Sequence, residues 1–154
     1  MEIIYKGLEK QRKREEDPDE FGSMRDNIVA SLGKIIKNQF NNINLQEAVG
    51  VWVNNLPLRY DIEEGKVQHE LLVDIILDSN AALVFGENGE NLPRTIKVIA
   101  EAINLKASSS DFKQKAKKVV ALLTGNETTK VMLQKAVANL EPKLQKKLQE
   151  AIES

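Results

Sequence analysis

The 154-residue chain has room for one ordinary domain, or for about three to four helix-pair repeats of roughly 40–47 residues each. Its 42% hydrophobic and 29% charged residues are too apolar a mixture for a disordered segment. With no cysteine and one histidine, His69, the sequence excludes disulfides, zinc–thiolate and iron–sulfur sites, a Cys nucleophile and any metal centre that needs two imidazoles.

A reducing compartment is the natural reading of such a chain. No apolar run approaches the roughly 18 residues of a membrane span, and the N-terminus lacks the apolar core of a signal peptide, so a soluble protein is expected. Aromatic residues make up only 5%, which leaves Leu, Ile, Val and Ala to build the core and favours helix-on-helix packing. The net charge of −1 is divided unevenly. Residues 106–154 carry ten Lys and five Asp or Glu, +5, while the remainder carries twelve basic and eighteen acidic residues, −6. That polarity can steer a charged partner but is too mild to indicate nucleic-acid binding.

In chain order, the spacing predicts helices at about 2–15, 18–40, 45–56, 62–79, 92–105, 111–124, 128–140 and 142–152. Phe21, Met24, Ile28, Leu32, Ile35 and Ile36 recur at intervals of three and four and form one stripe. The same spacing joins Val67, Leu71, Leu72, Ile75 and Ile76, and again Leu92, Ile96, Ile99, Ala100 and Ile103. Phe112, Ala116, Val119, Val120 and Leu123 make a further stripe, followed by Met132, Leu133, Ala136, Val137 and Leu140. Leu144, Leu148 and Ile152 mark a last short helix. No segment shows period-two alternation bounded by hairpin turns.

Capping signals agree with these stripes. Asp17-Pro18-Asp19-Glu20 supplies an acceptor, a first-turn Pro and a Glu three residues on. Asn44…Glu47 and Asp61…Glu64 repeat the cap-to-Glu spacing, Ser110 precedes Asp111, and Glu141-Pro142 restarts the chain. The connections are short except over 80–91, where Ala81 to Gly86 leads into the polar Glu87-Asn88-Gly89-Glu90-Asn91. Short connections make successive helices antiparallel neighbours. The expected architecture is all-α: an α-α superhelix, HEAT- or armadillo-like, of antiparallel pairs over 17–60, 61–106 and 107–154, with 1–16 the orphan helix of a preceding repeat.

Three stretches carry a family resemblance. Asn27-Ile28-Val29-Ala30-Ser31-Leu32-Gly33-Lys34-Ile35 is similar to the first helix of a late repeat in the importin-β (karyopherin-β) nuclear transport receptors, importin-β3-like in type. Trp52, then Leu56-Pro57-Leu58, Asp61 and Glu63-Glu64 form the most distinctive stretch. Asn91-Leu92-Pro93-Arg94 opens the helix that contains Ile99-Ala100-Glu101. Their order and spacing resemble the family over about 18–105, and only the helical hairpin pattern matches beyond. The resemblance implies a C-terminal fragment of a receptor that binds protein cargo and nucleoporins, working in the cytoplasm and nucleus including the nuclear pore. It implies Ran GTPase contacts only through N-terminal repeats outside this chain, and no cofactor, membrane or nucleic acid.

Other motifs dissolve on inspection. His69-Glu70-Leu71-Leu72-Val73 opens like a metalloprotease helix, but Val73 stands where the second His must sit. A surface or partly buried His is expected there. Asp17-x-Asp19 with Gly22 has Phe21 at an oxygen-ligand position and Ile28 at the bidentate Glu position of a calcium loop. Gly86-Glu87-Asn88-Gly89 lacks the lysine of a phosphate cradle and reads as a turn. Asn126-Glu127-Thr128 spells a glycosylation sequon but reads as a helix cap. The basic run Lys10-Gln11-Arg12-Lys13-Arg14 suits a helix C-terminus and is followed by Glu15-Glu16-Asp17, which cancels its field. No nucleophile has a base that something else orients, so no enzyme is expected.

If the second helix of each pair lines the binding face, the non-core positions are Glu47, Asn54 and Asn55 on one helix and Arg94, Lys97 and Glu101 on the next. Trp52, the only Trp, reads first as a buried anchor, with an exposed stacking site for an aromatic partner residue as the alternative. The unpaired helix 2–15 is expected to fray, to pack on a neighbouring molecule or to self-associate through Ile3, Ile4 and Leu8.

Overall fold

The stripes close into helices because each one finds a partner face, and several also have a side-chain cap at the N-terminus. A computed structural model describes residues 18–38, 44–105 and 108–154. The expected helix 2–15, its basic run and the self-association residues Ile3, Ile4 and Leu8 lie outside the described residues. The helices are α1 (Pro18–Asn38), α2 (Leu45–Asn54), α3 (Ile62–Ile75), α4 (Ala81–Phe85), α5 (Leu92–Ile103), α6 (Ser110–Thr124), α7 (Glu127–Ala138) and α8 (Pro142–Glu153). A π-helical turn, Ile76–Asn80, joins α3 to α4. No strand occurs among the described residues, and the fold is an all-α helical repeat.

Among the described residues four helix N-termini are closed by side chains, each satisfying backbone N–H groups that have no partner within the helix. Asn44 Oδ1 accepts from the Glu47 N–H at 3.2 Å, and Asp61 Oδ1 from the Glu64 N–H at 2.9 Å. Ser109 Oγ accepts from the Phe112 N–H at 3.0 Å, one residue earlier than the cap expected at Ser110. Asn126 Oδ1 accepts from the Thr128 N–H at 2.8 Å, which is the capping role read from its sequence.

One expectation needs correction. The chain does not leave the helix near residue 79: it passes through the π turn and continues to Phe85. Ala81-Ala82-Leu83-Val84-Phe85 contains no breaker, and burying Val84 and Phe85 holds the extra turn in place. Gly86 and Gly89 then turn the chain at φ +84° and +72°, a region that disfavours every side-chain-bearing residue. At Gly89 a Cβ would also sit 2.8 Å from Met132 Sδ.

The helices fall into two rows. Helices α1, α3 and α6 are successive neighbours in one row, and α2, α5 and α7 in the other. Helix α8 returns against α5 and α6. Helix α5 lies in the middle and is enclosed on nearly every side, with Leu92, Thr95, Ile96, Val98, Ile99, Ala100, Ala102 and Ile103 all buried. Such a helix owes its place to packing, since apolar residues around most of its circumference must all find cover.

The deepest contact between rows is made by Trp52 of α2, which is fully buried. Its Nε1–H donates to Gln68 Oε1 of α3 at 3.0 Å, giving the polar end of the ring a partner in the dry interior. Gly33 of α1 makes this contact possible. A Cβ there would fall 1.7 Å from Gln68 Oε1 and 2.8 Å from Trp52 Nε1, so only glycine lets α1 approach. The Gly33→Ala protein should therefore lose about 1–3 kcal/mol in urea unfolding, as overpacked cores do. Gly50 of α2 has nothing within 4 Å of its Cβ position, so Gly50→Ala should gain about 0.5–1 kcal/mol.

Candidate protein-binding face

The connection Asn55–Asp61 between α2 and α3 organises this face. Leu56, Pro57 and Leu58 are buried, so their backbone polar groups cannot reach water and must find partners inside. Side chains from three helices supply them. His69 of α3 accepts the Leu58 N–H at Nε2, 2.9 Å away. Asp26 of α1 accepts the Tyr60 N–H at 2.7 Å and the Asp61 N–H at 2.9 Å on one oxygen, Oδ2. Arg94 of α5 donates through Nη2 to the Asn54 carbonyl at 3.0 Å and the Leu56 carbonyl at 3.2 Å.

Burial disturbs both ionisable acceptors. His69 is 1% exposed, and its pKa is lowered from 6.5 to about 4, first by desolvation and second by the charge of Arg59. It is thus the neutral imidazole that accepts from Leu58. Its ring stands tilted against Phe112 of α6 at 6.1 Å between centroids. The sequence reading of a surface or partly buried His is corrected, because the segment Leu56–Leu58 and Phe112 cover it. Desolvation raises the Asp26 pKa, while the N–H groups of Asp61 and Tyr60, the Arg25 charge and the Arg59 backbone pull it down.

The seven residues expected at a binding face divide in two. Trp52 has no exposed surface and cannot stack on a partner, so of its two sequence readings the buried anchor holds. Asn55 is 3% exposed: it caps α2, with Nδ2 donating to the Val51 carbonyl at 2.7 Å, and does not face outward as expected. Arg94 is half-buried by its work on the connection. Glu101 is largely covered, its carboxylate held by Arg59 and flanked at 3.9 Å by Lys97. Lys97, Asn54 and Glu47 remain exposed.

Asn54, Arg94, Lys97 and Glu101 form one strip where α2 ends beside α5, and Arg59 completes it. Glu47 lies two turns away on α2, roughly 10 Å along the axis at 1.5 Å per residue. Arg59 was missed from sequence because loop residues carry no periodicity. Asp26 was missed too, although a carboxylate between apolar stripe positions on α1 was a legible signal of a buried partner. On the opposite row, Lys115 of α6 meets Glu70 and Asp74 of α3, each at 2.9 Å, and its pKa is held above the usual lysine value by Asp74 and then Glu70. No cluster of three or more His, Asp or Glu suited to a metal occurs among the described residues, and no helix there is long and apolar enough to cross a membrane.

Comparison with known proteins adds one point. The chain is 26% identical over 102 residues to a probable importin-5 homolog of Dictyostelium discoideum, a stretch covering 65% of this chain and 9% of that protein. No family model matches. The likeness is distant and agrees with an importin- or HEAT-type helical repeat. Because the chain spans less than a tenth of that relative, the activity of the whole relative does not transfer with the likeness.

The histidine geometry makes a pH-dependent prediction. Well above pH 6.5 His69 is neutral folded and unfolded and contributes no slope. As pH falls from 6.5 towards 4 the unfolded chain takes a proton that the folded chain refuses, removing up to about 1.4 kcal/mol per unit, roughly 3 kcal/mol in all. Asp26, raised in the folded state, takes its proton before the unfolded chain does and slopes the other way near pH 4, in wild type and variant alike. In His69→Gln, whose amide oxygen can still accept from Leu58, the His69 component should vanish. The stability difference between the two proteins, measured by denaturant unfolding at pH 7 and pH 4, should shift by about 3 kcal/mol in favour of the variant at the acid end.

Proposed function

We propose that this chain is a HEAT-type segment of a nuclear transport receptor, a binding protein without catalytic chemistry, built from helix pairs over 17–60, 61–106 and 107–154. The row α2–α5–α7 is its partner-facing side, with Lys97, Asn54 and Glu47 as accessible contacts. One observation carries the reading: a two-row succession of helices coincides with similarity to an importin-5 homolog over 102 residues. Such a stack offers a long surface, and small rotations between pairs adapt it to different partners.

In this reading the partners are protein cargo and nucleoporins, met in the cytoplasm, in the nucleus and at the nuclear pore. Ran GTPase is met through parts of a longer receptor outside this chain. No cofactor takes part.

The test is interferometry of the immobilised chain against a Phe-Gly nucleoporin fragment and a panel of import cargo proteins. Saturable binding is expected, weakened about tenfold or more when Lys97→Glu is combined with Glu47→Lys. The reading is overturned if neither this chain nor a longer protein carrying it binds those partners, or if a phosphatase catalytic subunit or a trafficking coat protein binds instead. The latter outcome would identify a HEAT or armadillo scaffold outside transport.

A further inference from the structure

The return of α8 against α5 and α6 brings lysines of α6 and α8 to one cavity. A cavity of about 450 Å³ opens between the end of α5, the beginning of α6 and the second half of α8. Ile103, Leu105 and Ala151 give it an aliphatic lining, and Lys113 of α6 and Lys147 of α8 stand at its edge. Helical spacing extends both cationic edges: Lys117 follows Lys113 by one turn, and Lys143 precedes Lys147 by one turn.

Lys113 and Lys143 have no carboxylate within ion-pair distance among the described residues, and Lys117 Nζ donates to Ser154 O at 3.4 Å beside the cavity, in contrast to Lys115, which Glu70 and Asp74 hold on the opposite side of α6. Lys147 has only Glu150, 3.7 Å away on its own helix, and that pair is half-exposed. Four lysines around a partly apolar hollow are a surface whose complement is anionic. Helices α6 and α8 together carry seven Lys against three Asp or Glu, so their field points the same way.

We propose that this cavity docks an acidic segment of another protein. Asp or Glu side chains of the segment meet Lys113, Lys117, Lys143 and Lys147, and an aliphatic side chain rests on Ile103, Leu105 and Ala151. Protein is favoured over nucleic acid by the make-up of the site. Residues 106–154 contain no Arg to fork onto phosphates, no aromatic side chain lines the cavity for a base to stack on, and the Glu150 carboxylate sits at its edge. The site lies apart from the Lys97 strip and does not depend on the transport reading. Its failure would leave that reading standing, and the converse holds too.

The probe is a fluorescein-labelled peptide of alternating Glu and Leu, about twelve residues long so that it spans two to three helical turns of lysines, titrated with the full chain by anisotropy. Saturable one-site binding that weakens as salt rises is expected. Lys113→Glu with Lys147→Glu should weaken it about tenfold or more, and the milder Lys113→Gln with Lys147→Gln should weaken it in the same direction with unchanged circular dichroism. Lys118→Glu, on another face of α6, should leave the affinity within about twofold. Three results would each overturn the proposal: no saturable binding, an equal loss in Lys118→Glu, or equally tight binding of a single-stranded oligonucleotide of the same charge.

Discussion

Backbone buried between helices has to be hydrogen-bonded, and in this protein that demand falls on the seven residues from Asn55 to Asp61. Leu56 and Leu58 are drawn into the core by their side chains, and their peptide groups go with them. Asp26, His69 and Arg94 answer from α1, α3 and α5. A connection that would otherwise only link two helices is thereby fastened to side chains of three, α1 and α3 in one row and α5 in the other. Losing any one of these partners would leave a buried donor or acceptor empty, which costs about 1–3 kcal/mol, a large share of the stability of a domain this size.

The same fastening shapes the surface that is left for partners. Arg94 spends its guanidinium on the Asn54 carbonyl at the end of α2 and the Leu56 carbonyl of the connection, and Arg59, carried on that connection, claims Glu101. Of the residues expected at the face, Lys97, Asn54 and Glu47 remain outward on α2 and α5, a sparse set with charges of both signs. In the proposed binding role, such a face would act through shape and many weak contacts more than through one strong charge pair, since exposed ion pairs are worth at most about 1 kcal/mol each. The distant similarity to a probable importin-5 homolog covers 9% of that protein and agrees with a helical repeat.

The charge division along the chain also acquires a location. Basic residues of α6 and α8 come together only because α8 folds back on α5 and α6. A sequence count finds the +5 of residues 106–154, but it cannot separate Lys115, neutralised by Glu70 and Asp74, from Lys113, which faces a cavity. Neighbours two residues apart on one helix thus have opposite fates, because i and i+2 lie on different faces.

Local periodicity and short-range hydrogen bonding carried most of the fold into the sequence. The stripes of Leu92–Ile103 or Phe112–Leu123 specify helices by spacing alone, and Asn44, Asp61 and Asn126 cap helices through contacts two or three residues away. Such features require no knowledge of the rest of the chain. The burial of His69, the Gly33–Gln68–Trp52 contact and the covering of Glu101 all depend on residues 11 to 43 positions apart. Side chains on one helix cannot encode which distant carbonyl or carboxylate will arrive beside them, and that arrival settles whether a polar residue is a structural clamp or an open contact. For this reason the helices could be read from the order of residues, while the membership of the candidate face emerged only when the rows had packed.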